Sequence, residues 1–154
     1  MTDQPTLAER RLTLTRVYDA PRELVWDAWT TPAHLERWFA PRPVTIKPGS
    51  VIVEHRQGGA FCLTMVMPDG TEFPNLGTFT AYERPERLAF GGTVENHPGL
   101  TSASTEVTFR DLGDDRTELT IEHVMVAVED MPEMARLGWT QGLTQLGEVL
   151  AELG

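Results

Sequence analysis

Apolar and polar residues alternate through most of the chain, and this pattern predicts a sheet built from consecutive strands. Residues 10–18 form a first alternating run, and the pattern returns over residues 60–67, 102–111 and 116–126. The intervals between the later runs are short and contain Gly, Pro and Asp, which are typical turn residues. Consecutive strands joined by short turns pair antiparallel, so the pattern predicts an antiparallel sheet.

The clearest turn in the chain is Pro68-Asp69-Gly70, because an Asp-Gly pair supplies the positive φ angles that a tight hairpin needs. The strand that returns from this turn covers residues 71–83 and contains Pro74. Proline has no N–H group to donate to a neighbouring strand. We therefore expect an edge position or a β-bulge at Pro74.

Three segments follow helical spacing instead. Two short helices are predicted after the first strand, with Pro21 and Pro32 at their first helical positions, where a missing N–H costs nothing. From Asp130 onwards the sequence predicts one helix of about 22 residues. Its apolar stripe consists of Trp139, Leu143, Leu146, Leu150 and Leu153. The order of elements predicts an α+β domain in which a curved antiparallel sheet wraps around this closing helix.

The length of 154 residues favours a single domain, which we assign to residues 10–154, with residues 1–9 as a flexible N-terminal tail. The formal net charge of -10 argues against a nucleic-acid partner, because binding to phosphates needs positive charge. The chain begins with polar residues and has no apolar run of about 20 residues, so we expect a cytoplasmic protein without a membrane partner. Cys62 is the single cysteine, which excludes an intrachain disulfide.

Several segments, in the correct order, resemble a known family. They are residues 17–29 with Pro32, Leu35 and Trp38-Phe39, then residues 68–79, residues 85–88, and Gly138-Trp139 with Leu143 and Leu146. Together they resemble the activator of Hsp90 ATPase homologue family, which belongs to the START-like (SRPBCC), polyketide-cyclase-related superfamily. The resemblance implies a helix-grip fold of the START-like or Bet v type, whose sheet and C-terminal helix enclose an apolar cavity. Many members of the superfamily use that cavity for a hydrophobic small molecule, and some catalyse cyclisation or related chemistry.

Strand alternation predicts which side chains line the cavity that the resemblance implies. On the sheet these are Leu14, Arg16, Phe61, Leu63, Met65, Phe79, Phe90, Val107, Phe109, Ile121, His123 and Met125. Trp38 and Phe39 are expected near the mouth of the cavity, and Met134, Leu137 and Gln141 on the helix side. The alternative is that these side chains pack against one another. An empty apolar volume of about 300 Å³ would cost about 7 kcal/mol, so a cavity of that size is expected to hold a ligand or water, or to shrink.

Two of these residues, Arg16 and His123, are polar and are the weak candidates for catalysis. The guanidinium of Arg16 could orient a carboxylate or phenolate, and the imidazole of His123 could act as a general acid or base. The alternatives are an ion pair or exposure at a strand end for Arg16, and a structural hydrogen bond for His123. The histidines show no metal-ligand spacing, and neither a metal nor a cofactor is expected.

Three functions stay open at the level of sequence. The first is non-enzymatic binding or carrying of a small hydrophobic molecule, aromatic or acyl in nature, by a monomer or homodimer. The second is a cyclase, hydrolase or lyase that uses the same cavity with Arg16 and His123. The third is an interaction module that regulates a chaperone ATPase. The resemblance implies that the eukaryotic co-chaperones of the family carry an additional N-terminal domain, for which we expect no room in this chain.

Overall fold

The computed structural model describes residues 7–94 and 100–153. These residues form eight strands and three helices. In chain order the elements are β1 (Ala8–Tyr18), α1 (Arg22–Thr30), α2 (Pro32–Trp38), β2 (Thr45–Ile46), β3 (Ile52–Val53), β4 (Ala60–Val66), β5 (Glu72–Glu83), β6 (Arg87–Val94), β7 (Leu100–Gly113), β8 (Arg116–Ala127) and α3 (Met131–Leu153).

All strands belong to one antiparallel sheet with the order β1-β8-β7-β6-β5-β4-β2, and β3 pairs with β4. The sheet is curled into a half-barrel, and α3 packs against α1, α2 and β1. The Tyr18 hydroxyl at the end of β1 donates a hydrogen bond of 2.8 Å to the carbonyl of Leu143 in α3, which ties the first strand to the last helix. This arrangement confirms the predicted α+β helix-grip fold.

The tryptophans of α1 and α2 fill one end of the space between sheet and helices. Trp26, Trp29 and Trp38 are each at most 1% exposed. The ring of Trp29 lies 4.6 Å from that of Trp38, and the ring of Trp26 lies 5.3 Å from that of Phe109 in β7. Edge-to-face and tilted contacts at these distances are favourable for aromatic pairs. These three tryptophans therefore form the core at this end of the molecule.

The glycines of β5 and β6 let the two strands approach each other closely. Gly77 pairs with Gly92, and Gly91 is the next residue along β6. A Cβ atom on Gly92 would lie 1.7 Å from the carbonyl oxygen of Leu76. Only a residue without a side chain fits there, and glycines of this kind mark bends and close backbone approaches in sheets.

Two details differ from the sequence predictions. The first strand begins at Ala8, so residues 8 and 9 of the predicted tail belong to the sheet, Leu7 precedes it, and residues 1–6 lie outside the described residues. Pro21 is the N-cap of α1 and not its first helical residue, because its extended backbone places its carbonyl as acceptor for the N–H groups of Leu24 and Val25. Residues 95–99 of the predicted loop also lie outside the described residues.

Of the two alternatives expected at Pro74, an edge position and a β-bulge, the bulge is wrong. β5 is regular at this residue, which pairs with Thr64, and the bulge lies between Phe79 and Ala81. The backbone of Thr64 bonds to Ser50 and Lys47 on its other side, so the missing N–H of Pro74 leaves no bond to β4 unmade. The described pairs between β5 and β6 end at Asn75, the residue after Pro74, so within the described residues Pro74 has an edge position on the β6 side.

Candidate functional site

A cleft of about 320 Å³ opens between the sheet and the beginning of α3, next to the tryptophan core, whose Trp29 contacts the lining residues Phe39 and Trp139. Strands β4 to β8 form one wall, the first turns of α3 form the second, and the segment that follows α2 forms the third. Its larger apolar side chains are Phe39, Val44, Phe61, Leu63, Met65, Met67, Phe73, Leu76, Phe90, Leu100, Met125, Met131, Met134 and Trp139. Among the described residues that line it there is no Asp, Glu, Lys or Arg.

Aromatic rings from four elements form the inner wall of the cleft. Phe61 in β4 stacks on Phe90 in β6, with ring centroids 4.5 Å apart. Phe39, which follows α2, lies 5.8 Å from Phe61 and 5.6 Å from Trp139 of α3. Because these rings hold one another in place, this wall is largely formed before a ligand binds.

The buried side chain of Gln145 in α3 fixes the segment that carries Phe39. Its Nε2 donates hydrogen bonds of 3.0 Å and 2.8 Å to the carbonyls of Trp38 and Ala40. Its Oε1 accepts bonds from the N–H of Arg42 and from Nε2 of Gln141, both at 3.0 Å. Gln145 was not among the predicted site residues. Its spacing from Gly142 and Val149, three and four positions, places it on the buried face of α3, and this spacing was the signal in the sequence.

His123 is the titratable group in the wall of the cleft. It lies on β8 opposite Thr105 of β7, and its Nδ1 is 2.8 Å from the Thr105 hydroxyl oxygen. The His123 ring packs edge-on against Trp139, with centroids 5.7 Å apart. His123 and Thr105 are only 8% and 2% exposed. With Nδ1 occupied by Thr105, Nε2 is the ring nitrogen left for a molecule in the cleft.

Burial keeps the His123 imidazole uncharged. Desolvation lowers the pKa of His123 from 6.5 to about 4, since the imidazolium form would lose its hydration without gaining a partner. No carboxylate among the described lining residues opposes this effect. At neutral pH the cleft therefore presents an apolar wall with a neutral imidazole. Asn75, Thr93 and Thr105 are its other polar side chains.

The structure brings about half of the predicted cavity residues to the cleft. Those that line it are Phe39, Phe61, Leu63, Met65, Phe90, His123, Met125 and Met134. Six others are buried in the core and do not line it, namely Leu14, Trp38, Phe79, Val107, Phe109 and Ile121. On α3, Leu137 is 64% exposed, and Gln141 bonds to Gln145 and also lies outside the lining.

Arg16 and His123 do not form a common polar site. The Arg16 guanidinium donates a 2.8 Å hydrogen bond to the carbonyl of the neighbouring Thr15, and the half-buried Arg16 does not line the cleft. It pairs with Leu119, four residues before His123 on β8. Arg16 is half-buried two residues before the end of β1, and its role stays a prediction.

The described residues form neither a metal site nor a helix that could cross a membrane. No three or more His, Cys, Asp or Glu side chains among them are grouped so that they could hold a metal ion. None of the three helices combines the length and the apolar character that crossing a bilayer requires in that part of the chain.

A curled antiparallel sheet closed by a C-terminal helix, with an apolar cleft between them, defines a START-like helix-grip protein with the architecture of a ligand-binding domain. The family model described as Activator of Hsp90 ATPase homolog 1-like protein matches residues 19–151, and the chain belongs to this family. The resemblance noted in the sequence is thereby confirmed.

Solved structures agree with this assignment. Protein CV1439 from Chromobacterium violaceum is 25% identical, with a TM-score of 0.82 over 91% of this chain and 96% of that protein. Protein NE0264 from Nitrosomonas europaea is 29% identical, with a TM-score of 0.78 over 94% and 96% of the two chains. The AHSA1 protein SPO3351 from Silicibacter pomeroyi, at 18% identity and a TM-score of 0.80 over 94% and 100%, shares the fold. No curated protein sequence matches the chain significantly.

Proposed function

We propose that the protein binds or carries a small, mostly apolar molecule in the cleft between the sheet and α3, without transforming it chemically. The observation that supports this proposal is the composition of the cleft wall, in which aromatic rings and methionine side chains surround about 320 Å³. Ligand sites in proteins are concave and mostly apolar, and carry a few polar groups that set orientation. Here His123, Thr105 and Asn75 are such groups.

The volume and the flexibility of the wall define the class of ligand. A cleft of about 320 Å³ is at the lower end of the range for small-molecule sites, so it suits one or two aromatic rings or a short acyl chain. Five methionines, Met65, Met67, Met125, Met131 and Met134, contribute to the lining. Unbranched thioether side chains adapt to different shapes, which favours related ligands over a single rigid one.

A fluorescence titration with N-phenyl-1-naphthylamine tests this proposal, because this uncharged dye emits more strongly in apolar surroundings. We expect saturable binding to the wild-type protein with a Kd on the order of 100 μM or lower. Ala135 lines the cleft, and Ala135→Trp should fill it and weaken binding at least tenfold. Ala151 is exposed near the end of the same helix, and Ala151→Trp is the matched control, with unchanged binding expected.

Circular dichroism of both variants establishes that they are folded. Absence of saturable dye binding to the wild-type protein would contradict the proposal. Equal binding to wild type and Ala135→Trp would contradict it as well, because the dye would then bind elsewhere.

The other two functions named from the sequence stay predictions, as do the monomeric or homodimeric state and the cytoplasmic location. For the enzymatic alternative, only His123 of the two candidate residues lines the cleft. Turnover of a bound compound that is lost in His123→Ala, with binding retained, would favour a cyclase, hydrolase or lyase over the binding function.

A further inference from the structure

We propose that His123 donates a hydrogen bond from Nε2–H to an uncharged acceptor of the ligand, such as the carbonyl oxygen of a ketone, ester or amide. This inference rests on the proposed binding function and defines the ligand more closely. It follows from three observations, which are the partner of Nδ1, the burial of the Thr105 hydroxyl and the absence of charged side chains from the described lining of the cleft.

The Thr105 hydroxyl determines which ring nitrogen carries the proton. A neutral imidazole has one N–H donor and one acceptor nitrogen. If Nδ1 carried the proton and donated it to Thr105, the Thr105 O–H would need another acceptor. Thr105 is 2% exposed, and within the described residues its hydroxyl is bonded to His123 only. A buried hydroxyl proton without a partner costs free energy, so the Thr105 O–H donates to Nδ1.

The remaining proton of the imidazole is then on Nε2. This nitrogen has no partner among the described residues, and His123 lines the cleft. In the empty site water can accept the Nε2–H bond, but an apolar ligand that displaces the water has to replace it. A ligand that carries a hydrogen-bond acceptor at this point bonds to Nε2–H. A pure hydrocarbon leaves Nε2–H without a hydrogen-bond partner.

The absence of charged side chains from the described lining excludes an ionised group as the preferred acceptor. A carboxylate buried against His123 would lose its hydration without meeting an Arg or Lys side chain in the described lining. The imidazole itself is uncharged, so it would offset the lost hydration of the carboxylate only through one hydrogen bond. The site therefore favours a neutral carbonyl over a free acid of the same shape.

A pair of probes that differ in one atom group tests the inference. These are 2-acetylnaphthalene and 2-isopropenylnaphthalene, in which a CH₂ group replaces the carbonyl oxygen. Each probe is titrated against the bound dye N-phenyl-1-naphthylamine in wild type, His123→Phe and His55→Phe. For each protein we take the ratio of the Kd values of the two probes, and we then compare this ratio between proteins. The difference in hydration between the two probes is the same in every ratio and therefore cancels.

We expect the preference for the ketone over the hydrocarbon to be about tenfold larger in wild type than in His123→Phe. His55 is exposed and does not line the cleft, so His55→Phe should keep the wild-type preference. The probe 2-naphthoate, which carries a carboxylate in place of the ketone, should bind more weakly than the ketone at neutral pH.

The position of the imidazole proton is measured independently by ¹⁵N NMR of the histidine ring at neutral pH. We expect protonated Nε2 in wild type and a mixture of both tautomers in Thr105→Val, which loses the hydroxyl but keeps the side-chain shape. If His123→Phe does not fold, the NMR measurement and the ketone preference of Thr105→Val test the proposed hydrogen bond from Nε2–H instead.

The outcomes separate the two proposals. In one outcome both probes bind to the wild-type protein but not to Ala135→Trp, and the ketone preference is equal in wild type and His123→Phe. The inference on His123 is then overturned, and the binding function stands. A proton on Nδ1 in the wild-type protein also overturns the inference. If neither probe nor dye binds to the wild-type protein, the proposed function fails, and the inference fails with it.

Discussion

Two buried polar side chains, Gln145 and His123, differ in how completely their hydrogen bonds are satisfied. Gln145 makes four bonds, two through Nε2 and two through Oε1, all within the protein. His123 makes one, through Nδ1. A fully bonded amide contributes to structure, because any change of partner would break an existing bond. A ring with one free nitrogen at the wall of a cleft is available for a ligand.

The pKa of His123 predicts a pH-dependent contribution to stability. Its pKa is about 4 in the folded protein and near 6.5 when unfolded, so between these values the unfolded chain binds more protons. Lowering the pH from 6.5 to 4 should therefore decrease the free energy of unfolding by about 3 kcal/mol through this residue alone. Above about pH 7.5 the histidine is neutral in both states and contributes no pH dependence.

Urea unfolding at several pH values measures this effect as the difference between wild type and His123→Phe. We expect the stability of wild type, relative to the variant, to fall steadily as the pH decreases from 6.5 to 4. The exposed His55 provides the control, since His55→Phe should retain the wild-type dependence. Parallel curves for wild type and His123→Phe would show that the imidazole is charged or solvated in the folded protein.

At the scale of single elements, the close approach of β5 and β6 predicts a strong effect of one methyl group. In Gly92→Ala the new Cβ would lie 1.7 Å from the Leu76 carbonyl oxygen and 2.7 Å from the Cα atom of Gly77. Both neighbours are backbone atoms that cannot rotate away, so the strands have to separate. We expect the free energy of unfolding to decrease by about 2 kcal/mol or more, measured by chemical denaturation.

The matched control is Gly138→Ala in α3. Its Cβ would meet only the side chain of Pro41, at an ordinary distance of 3.6 Å. Alanine is favoured over glycine inside a helix by about 1 kcal/mol, so this variant should be as stable as wild type or more stable. Equal stability of Gly92→Ala and wild type would mean that the two strands are further apart than described here.

Most elements could be predicted from the sequence because their signals are local. The Pro68-Asp69-Gly70 turn, the alternation in β7 and β8, and the period of α3 each depend on a few consecutive residues. The bulge near residue 80 and the regular strand at Pro74 could not be predicted, since they depend on which backbone groups the neighbouring strands present. The sequence of one strand does not show which other strand will pair with it.

At the scale of the whole molecule, one end of the sheet is filled and the other is open. Leu143, Leu146 and Leu150 in the second half of α3 are at most 4% exposed, while Met134 and Leu137 in the first half are 57% and 64% exposed. Local unfolding is easiest where few apolar groups are buried. We therefore expect amide hydrogen exchange to be at least tenfold faster over residues 135–141 than over residues 143–150 of the ligand-free protein.

Hydrogen exchange followed by mass spectrometry on overlapping peptides of α3 measures this difference. Comparison within a single helix removes the influence of helix type and solvent conditions. Uniform protection along α3 would contradict the division of the molecule into a filled end and an open end.

This division also explains why the lining of the cleft could be predicted only in part. Alternation identifies the face of a strand that points inward, but not the depth at which a residue lies along that strand. Phe109 and Phe90 both contact Trp29 of α1, yet Phe109 is also covered by Trp26 and does not line the cleft, while Phe90 does. The position of α1 over the sheet is a tertiary feature, and the sequence of β7 does not contain it.

The tryptophan core has a further consequence for how this protein can change during evolution. Trp26, Trp29 and Trp38, which hold the sheet and helices together, do not line the cleft, although Trp29 contacts the lining residues Phe39, Phe90 and Trp139. Substitutions around the opening can accumulate and alter selectivity while the buried rings preserve the scaffold. A single architecture of this kind can thus serve many chemically unrelated guests in diverging descendants.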